Sequence, residues 1–252
     1  MKPELDTYLS LCTQVYDISL PTPPDEEYAF FKSYAAQADG PILEPMCGTG
    51  RFLLPLIQDG FDVEGFDASI HMLSALHQKG LRNQLKPNVS LNFIENFESS
   101  GKYHLIFIPS GSFNLITDIK EITAALTTFY DLLSPQGILL IELITLNATP
   151  KHPGTWRRDR WNIDSNSFIL ASAKEEPLKE NVSHTTCLYE LVENNIITKT
   201  ETEIVKIRLY SADEFKIILI NAGFKKVTEI KAFDRSKKPD SSDKDIVFEC
   251  QK

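Results

Sequence analysis

The stretch PILEPMCGTGRFLLPL, from Pro41 to Leu56, decides the fold. Its first residues are mostly apolar and run to Glu44, which is typical of a short buried strand. A turn containing Gly48 and Gly50 follows, and the apolar residues after it recur at helical spacing. Glycines let the backbone approach a ligand closely, and a helix N-terminus offers unpaired N–H groups. The stretch therefore predicts a strand, a ligand-binding turn and a helix.

Strands and helices continue to alternate as far as about residue 145. Apolar runs such as FDVEGFD, YHLIFIPS and ILLIEL indicate strands, and the segments between them have helical periodicity. Connections of this kind predict a parallel sheet covered by helices on both faces. Two closing runs, KVTEIKAF and DIVFECQ, bring the strand count to seven, the last strand being antiparallel. We therefore predict an α/β fold with a Rossmann-like, doubly wound, mostly parallel seven-stranded sheet.

Two segments fall outside this pattern. Residues 146–210 show little helical periodicity, and two β-rich runs flank Asn194-Asn195, a pair that favours a hairpin turn. We expect this segment to form an antiparallel, β-rich substrate cap. Residues 1–40 contain a Pro-rich elbow and are expected to form a helical lid. The cofactor-binding domain would then comprise residues 41–145 and 211–252.

Charge and composition exclude several classes of protein. The net charge is −9 and the isoelectric point is near 5.1, which disfavours binding to nucleic acid. No apolar run approaches the roughly 20 residues of a membrane span, and the N-terminus does not resemble a signal peptide. The four cysteines stand far apart without a CxxC pair. We expect a cytoplasmic protein without a membrane partner or a bound metal.

The acid that ends the second strand indicates the kind of cofactor. Asp67 lies at the carboxyl edge of the predicted sheet, where a carboxylate can accept both hydroxyls of an adenosine ribose. The dinucleotide pattern G-x-G-x-x-G/A would place its last small residue at Leu53. Glu44 would repel a pyrophosphate but suits the α-ammonium of a methionine moiety. The residues therefore disfavour NAD.

Four motifs resemble those of one family. ILEPMCGTGR is similar to motif I of the class I S-adenosylmethionine-dependent methyltransferases, usually VLELGCGTGR, and VEGFDASIHML is similar to the next motif, VTGVDLSPEML. YHLIFIPSGSFNLI and LSPQGILLIEL resemble the fourth- and fifth-strand motifs. The N-terminal segment resembles that of small-molecule members such as sugar-amine N-methyltransferases. The main departure is Met46 in place of the first glycine, which we expect to be tolerated because methionine packs flexibly.

The resemblance implies S-adenosylmethionine as cofactor, S-adenosylhomocysteine as product, and roles for the matching residues. Glu44 would lie beside the methionine end, Arg51 would contact its carboxylate, and Asp67 would bind the ribose. The other residues expected to line the cofactor are Tyr16, Met46, Cys47, Gly48, Gly50, Ala68, Met72, Asn96, Phe97, Pro109 and Ser110. Glu95 is the alternative to Asn96.

The expected function is transfer of a methyl group to an N or O atom of a small-molecule acceptor by a monomer or homodimer. The sequence IPSGS stands where base-modifying enzymes carry DPPY or NPPY, which disfavours a nucleobase acceptor. Two alternatives remain: a non-catalytic cofactor- or partner-binding protein, and an NAD(P)-dependent oxidoreductase.

Methyl transfer requires alignment and exclusion of water, so no side chain is obliged to act as a base. The catalytic residues stay unknown, with Tyr16, His152 and His184 as candidates. The residues expected to bind the acceptor are Tyr8, Phe113, Trp156 and Arg158. The arginine- and tryptophan-rich segment around Arg158 is equally compatible with a solvated edge strand of the cap.

Overall fold

The computed structural model describes residues 5–99 and 101–252. The helices are α1 (Ser10–Ser19), α2 (Asp25–Ala35), α3 (Leu53–Gln58), α4 (Ile70–Arg82), α5 (Ile119–Leu132) and α6 (Ala212–Asn221). The strands are β1 (Ile42–Pro45), β2 (Val63–Asp67), β3 (Asn88–Leu91), β4 (Tyr103–Ile108), β5 (Leu133–Ile144), β6 (Trp156–Asn162), β7 (Ser167–Glu175), β8 (Val182–Glu193), β9 (Ile196–Arg208), β10 (Lys226–Lys231) and β11 (Asp245–Gln251).

The main sheet has seven strands in the order β10-β11-β5-β4-β1-β2-β3. All neighbouring pairs from β5 to β3 are parallel, whereas β11 is antiparallel to both β5 and β10. This confirms the predicted fold class, including the antiparallel last strand. The chain leaves β1 towards β2 on one side and reaches β4 on the other, so the glycine turn after β1 lies where the strand order reverses. Ligands of open α/β sheets bind at this place.

Helix α3 packs closely on the sheet although it carries a leucine where a dinucleotide-binding helix has a small residue. Leu53 is fully buried, and a Cβ atom on Gly65 of β2 would lie only 2.5 Å from its Cδ1 atom. The small residue that a close helix–strand contact requires is therefore on the strand instead of the helix.

The insert forms a second sheet, which we call the cap sheet (β6–β9). Its order is β6-β7-β8-β9 and all of its pairs are antiparallel. Asn194 and Asn195 connect β8 to β9 with φ angles of +51° and +65°, which confirms the predicted hairpin turn and fits type I′. The segment rejoins the main sheet where Thr145 pairs with Tyr210.

Helix α1 lies between the cap sheet and the glycine turn. The Nζ atom of Lys79 in α4 donates to Asp17 of α1 at 2.7 Å and to Thr49 of the turn at 2.8 Å. On its other side, Cys12 of α1 is hydrogen-bonded with Tyr189 of β8. Among the described residues, no helix combines the length and apolar character needed to cross a membrane.

Candidate active site

The chain enters the glycine turn through a strained residue. Met46 has a φ of +57°, and Gly48 and Gly50 follow with φ of +53° and +77°. A non-glycine residue in the left-handed region costs about 1–2 kcal/mol, which a glycine at position 46 would avoid. The backbone therefore follows a path suited to glycine at Met46, and strain is the consequence of that departure from the family motif. Its side chain is half-buried.

Gly48 and Gly50 are required in the turn for different structural reasons. A Cβ atom on Gly48 would meet no atom of the described residues within 4 Å, so the backbone there faces open space. A Cβ atom on Gly50 would lie 2.8 Å from Cγ of Leu76 in α4. Gly48 therefore keeps the surface of the turn open, and Gly50 permits the packing beneath it.

Asp67 is held against the turn by two backbone donors. The N–H groups of Gly48 and Ser69 each donate to its carboxylate at 2.8 Å. Burial raises the pKa of Asp67 above its ordinary value, and these donations act in the opposite direction. Each carboxylate oxygen has a second lone pair, so Asp67 retains the capacity to accept hydroxyl groups of a ligand.

Two buried polar atoms beside the turn, one in Arg51 and one in Glu44, have no hydrogen-bond partner among the residues that the structure describes. The guanidinium of Arg51 is hydrogen-bonded to Oγ of Ser110 and lies 4.0 Å from a carboxylate oxygen of Glu27. Within the described part of the chain, Nε of Arg51 and Oε2 of Glu44 have no hydrogen-bond partner, and both residues are buried. A buried polar group without a partner costs about 1–3 kcal/mol, so such atoms require an explanation. A free α-amino acid group fits, because its carboxylate would pair with Arg51 and its ammonium with Glu44.

The turn after β4 carries the next group of polar atoms. Ser110 and Gly111 both have left-handed backbones, with φ of +60° and +64°. The N–H of Ser110 donates to Glu142 of β5 at 2.5 Å, and its Oγ donates to Glu27 of α2 at 3.3 Å, so one serine bridges the two acids. Burial, followed by the nearby Glu27 carboxyl, raises the pKa of Glu142 to about 8. Burial likewise raises the pKa of Glu27.

Sequence reasoning missed the Glu27–Glu142 pair. The only signals were an acid within the apolar run ILLIEL and an acid before the aromatic residues of EEYAFF. Neither signal identifies a partner, because the pairing depends on the packing of α2 against the end of β5.

The remaining residues predicted to bind the cofactor come from the segments that follow β1, β2, β3 and β4 and from α1. The ring of Tyr16 is 5.9 Å from the Arg51 guanidinium, and Phe97 stacks on Phe66 of β2 with ring centres 4.3 Å apart. Asn96 is exposed at the end of a short 3-10 helix. Cys47, Met72 and Pro109 are buried, and Ala68 is half-buried beside Asp67.

Of the residues predicted to bind the acceptor, Tyr8 lies beside the site and Phe113 does not. The carbonyl of Tyr8 accepts a hydrogen bond from Oγ of Ser69 at 2.7 Å, and burial raises the pKa of its phenol. Phe113 is completely buried and packs in the core against Phe215, with ring centres 5.4 Å apart. The structure therefore places Phe113 in the scaffold, because the 3-10 turn after Gly111 directs its side chain inward.

Trp156, Arg158 and the two candidate histidines lie away from the turn. Arg158 on edge strand β6 donates to Ser172 at 2.9 Å and pairs with Glu190. These residues share the face of the cap sheet opposite to Tyr189, the residue that contacts α1. Trp156 is two residues from Arg158 on β6, and His184 is an even number of residues from Glu190 on β8, so both side chains lie on that same outer face. His152 is exposed in a loop. The arrangement supports the edge-strand interpretation.

The N-terminus of α1 is fixed by acids from β9. The N–H groups of Tyr8 and Leu9 donate to the carboxylate of Glu203 at 2.9 and 2.8 Å. The neighbouring Glu201 accepts from the N–H of Leu11 at 2.7 Å. Carboxylates satisfy the unpaired donors at a helix N-terminus and complement its dipole. The cap sheet therefore holds α1 in position over the site.

Within residues 5–99 and 101–252, no group of three or more His, Cys, Asp or Glu side chains is arranged to hold a metal ion.

The sequence of this chain is similar to those of proteins described as methyltransferases. A family model described as a methyltransferase domain matches residues 23–229. A protein of Geobacillus sp. (strain WCH70) that carries a provisional methyltransferase name is 24% identical over 231 residues, covering 88% of each chain.

Two solved structures are similar over almost their whole length. One is an S-adenosylmethionine-dependent methyltransferase from Clostridium acetobutylicum ATCC 824, with a TM-score of 0.77, 17% identity and coverage of 95% of this chain and 97% of that one. The other is the sugar N-methyltransferase KedS8 from Streptoalloteichus sp. ATCC 53650, with a TM-score of 0.76, 14% identity and coverage of 100% and 98%. The shared fold includes the cap sheet, since these alignments extend across the insert.

Proposed function

Because this chain belongs to the methyltransferase-domain family, we propose that it transfers the methyl group of S-adenosylmethionine to a nitrogen or oxygen atom of a small-molecule acceptor. Family membership supports the reaction class. The nature of the acceptor rests on the site and on the kinds of protein that share the fold.

The observation that carries the proposal is the match between the site and the two ends of this cofactor. Asp67 offers acceptor positions for the ribose on one side of Gly48. On the other side, Arg51 and Glu44 present the unpartnered atoms that an α-amino acid requires. A nicotinamide dinucleotide would instead place a pyrophosphate near Glu44, where its negative charge would raise the pKa of that buried carboxyl further, whereas an ammonium would lower it.

The bound cofactor supplies a methyl carbon that its sulfonium has already activated for displacement. The residues of this chain then need to orient the acceptor and exclude water, which contributes much of the rate enhancement in such reactions. Helix α1 covers the site, and the strained Ser110 turn forms its wall beside β4. We place the acceptor in this region, between the β4 turn and α1.

A small-molecule acceptor is supported by two observations. A protein of the same fold is named as a sugar N-methyltransferase, and its structure covers the whole of this chain, including the cap sheet. The acidic net charge of −9 disfavours a nucleic acid as acceptor.

Calorimetric titration tests the proposal directly. We expect S-adenosylmethionine and S-adenosylhomocysteine to bind and NADH not to bind. Absence of binding by both sulfur ligands at about 1 mM, a free energy weaker than roughly −4 kcal/mol, would refute the proposal. Transfer of labelled methyl groups to a panel of amines and hydroxyl compounds, including amino sugars, then identifies the acceptor class.

A further inference from the structure

The site contains a pair of acids that the proposed reaction does not itself require. Glu27 of α2 and Glu142 of β5 are each 6% exposed, and Ser110 donates to both of them, its N–H to Glu142 and its Oγ to Glu27. Two carboxyl groups held together in a buried site are not both ionised, and burial together with Glu27 raises the pKa of Glu142 to about 8, so the pair holds one proton at neutral pH. At least one of the pair is therefore neutral in the cofactor-free protein.

The surroundings of the pair are rich in negative charge. Ser110 donates its N–H to Glu142, and Arg51 lies 4.0 Å from Glu27. The other ionisable groups that act on the pair or on Arg51 come from four further elements: Glu44 of β1, Tyr16 of α1, Lys79 of α4 and Asp245 of β11.

Burial raises the pKa of all four carboxyl groups in this cluster, Glu27, Glu44, Glu142 and Asp245. The guanidinium of Arg51 lowers the pKa of Glu27 and Glu44, and Lys244 lowers that of Asp245, whereas the charge that acts on Glu142 is the Glu27 carboxyl. A further positive charge placed here would favour the ionised form of a carboxyl that burial now keeps neutral.

The topology puts this cluster on one side of the cofactor. Asp67 ends β2, whereas Glu142 lies near the end of β5, with β1 and β4 between them. A cofactor with its ribose at Asp67 and its amino acid group at Arg51 therefore extends from β2 towards the acid pair. The donor and the product of methyl transfer share both of those ends and differ at sulfur, which is positively charged in the donor and neutral in the product.

We propose that Glu27 and Glu142 form a charge-sensing subsite that releases its shared proton when the sulfonium donor binds, and so favours the donor over its thioether product. The inference rests on the proposed function. One proton leaves the pair for solvent when the donor binds. Transfer then forms the acceptor–carbon bond, breaks the carbon–sulfur bond and leaves the acceptor with one proton to lose. Since the product is neutral at sulfur, the pair binds a proton again.

The test is calorimetry at pH 7.0 in two buffers that differ in ionisation enthalpy, which counts the protons released on binding. We expect S-adenosylmethionine to release roughly half a proton or more beyond S-adenosylhomocysteine, because a carboxyl with a pKa of about 8 is mostly protonated at this pH. Titration of the ligands' own α-amino groups cancels when wild type and variant are compared with the same ligand.

Glu142→Gln is the decisive variant. Its amide can still donate to Glu27 and its carbonyl can still accept from Ser110, so it imitates the protonated pair. We expect the extra proton release to disappear and the preference for donor over product to fall about tenfold. Glu249→Gln is the matched control, because Glu249 accepts a hydrogen bond from Tyr34 at 2.6 Å and is not one of the groups that act on the pair.

The outcomes separate the two proposals. Equal proton release with both ligands would show that the pair responds to the shared amino acid group or to neither ligand, and it would overturn the inference while leaving the proposed function intact. If neither ligand binds, the proposed function fails as well. Glu27→Gln should reproduce the result of Glu142→Gln, and thermal melting verifies that each variant is folded.

Discussion

One buried carboxylate, that of Glu203, makes two of the hydrogen bonds that hold α1 over the site, and it can be changed without removing any bulk. Glu203 is 1% exposed and accepts from the N–H groups of Tyr8 and Leu9. In Glu203→Gln, one carboxylate oxygen becomes an amide donor, so one of the two N–H groups loses its acceptor. A hydrogen bond to a charged group is worth about 1.5–3 kcal/mol, and we expect α1 to dock about 2 kcal/mol less tightly.

This loss corresponds to an increase of about 30-fold in the equilibrium for opening α1. Hydrogen exchange measured by mass spectrometry on peptides covering residues 9–19 should accelerate by a similar factor, while peptides of α5 should exchange as in wild type. Glu190→Gln is the control, since Glu190 pairs with Arg158 on the outer face of the cap sheet. Unchanged exchange in Glu203→Gln would refute the reasoning and show that apolar contacts of α1 suffice to hold it.

Four further outcomes are expected. Glu44→Gln should raise the free energy of unfolding by about 1 kcal/mol in urea titrations at pH 7, because burial raises the pKa of the Glu44 carboxyl and an amide avoids the cost of burying an ionisable group. The same variant should weaken cofactor binding about tenfold. Gly48→Ala should impair cofactor binding more than folding, and Gly50→Ala should lower the melting temperature, since only the latter collides with packed side chains. Met46→Gly should be neutral or stabilising by up to about 1 kcal/mol, because relief of strain exceeds the added flexibility of the unfolded chain. Glu142 has a pKa of about 8 in the folded protein and 4.5 in the unfolded chain, so folding takes up a proton between these pH values. The free energy of unfolding of wild type should therefore fall by about 1.4 kcal/mol per pH unit from pH 4.5 to pH 8, relative to that of Glu142→Gln. Parallel profiles of stability against pH for the two proteins would contradict this.

The sequence predicted those elements that depend on residues close together in the chain. The strand, turn and helix around Gly48 and the acid at Asp67 depend on neighbouring residues, and so does the Asn194-Asn195 hairpin. The fold class followed from the alternation of these patterns along the chain.

Local patterns did not decide the direction of a side chain where that direction depends on the packing of distant elements. Phe113 follows a strand at the right edge of the sheet, but a left-handed Gly111 turns it into the core. The role of Arg158 depended on which face of β6 its side chain occupies, and a one-residue change of register would have reversed it. The positive φ of Met46 could not be predicted, because the identity of a residue does not reveal its backbone conformation.

The charge balance of the site connects α1 to the acid pair. Three buried carboxyl groups, those of Glu27, Glu44 and Glu142, lie near one buried guanidinium, that of Arg51. Such an arrangement remains stable only if some of the carboxyls are protonated or if a cation arrives. Coulomb interactions strengthen as water is excluded, and Tyr16 of α1 lies over Arg51 at the edge of this cluster. When α1 opens, water would solvate the carboxyls and weaken their response to the charge on sulfur. The closed position that Glu203 maintains is therefore the condition under which Glu27 and Glu142 can distinguish a sulfonium from a thioether.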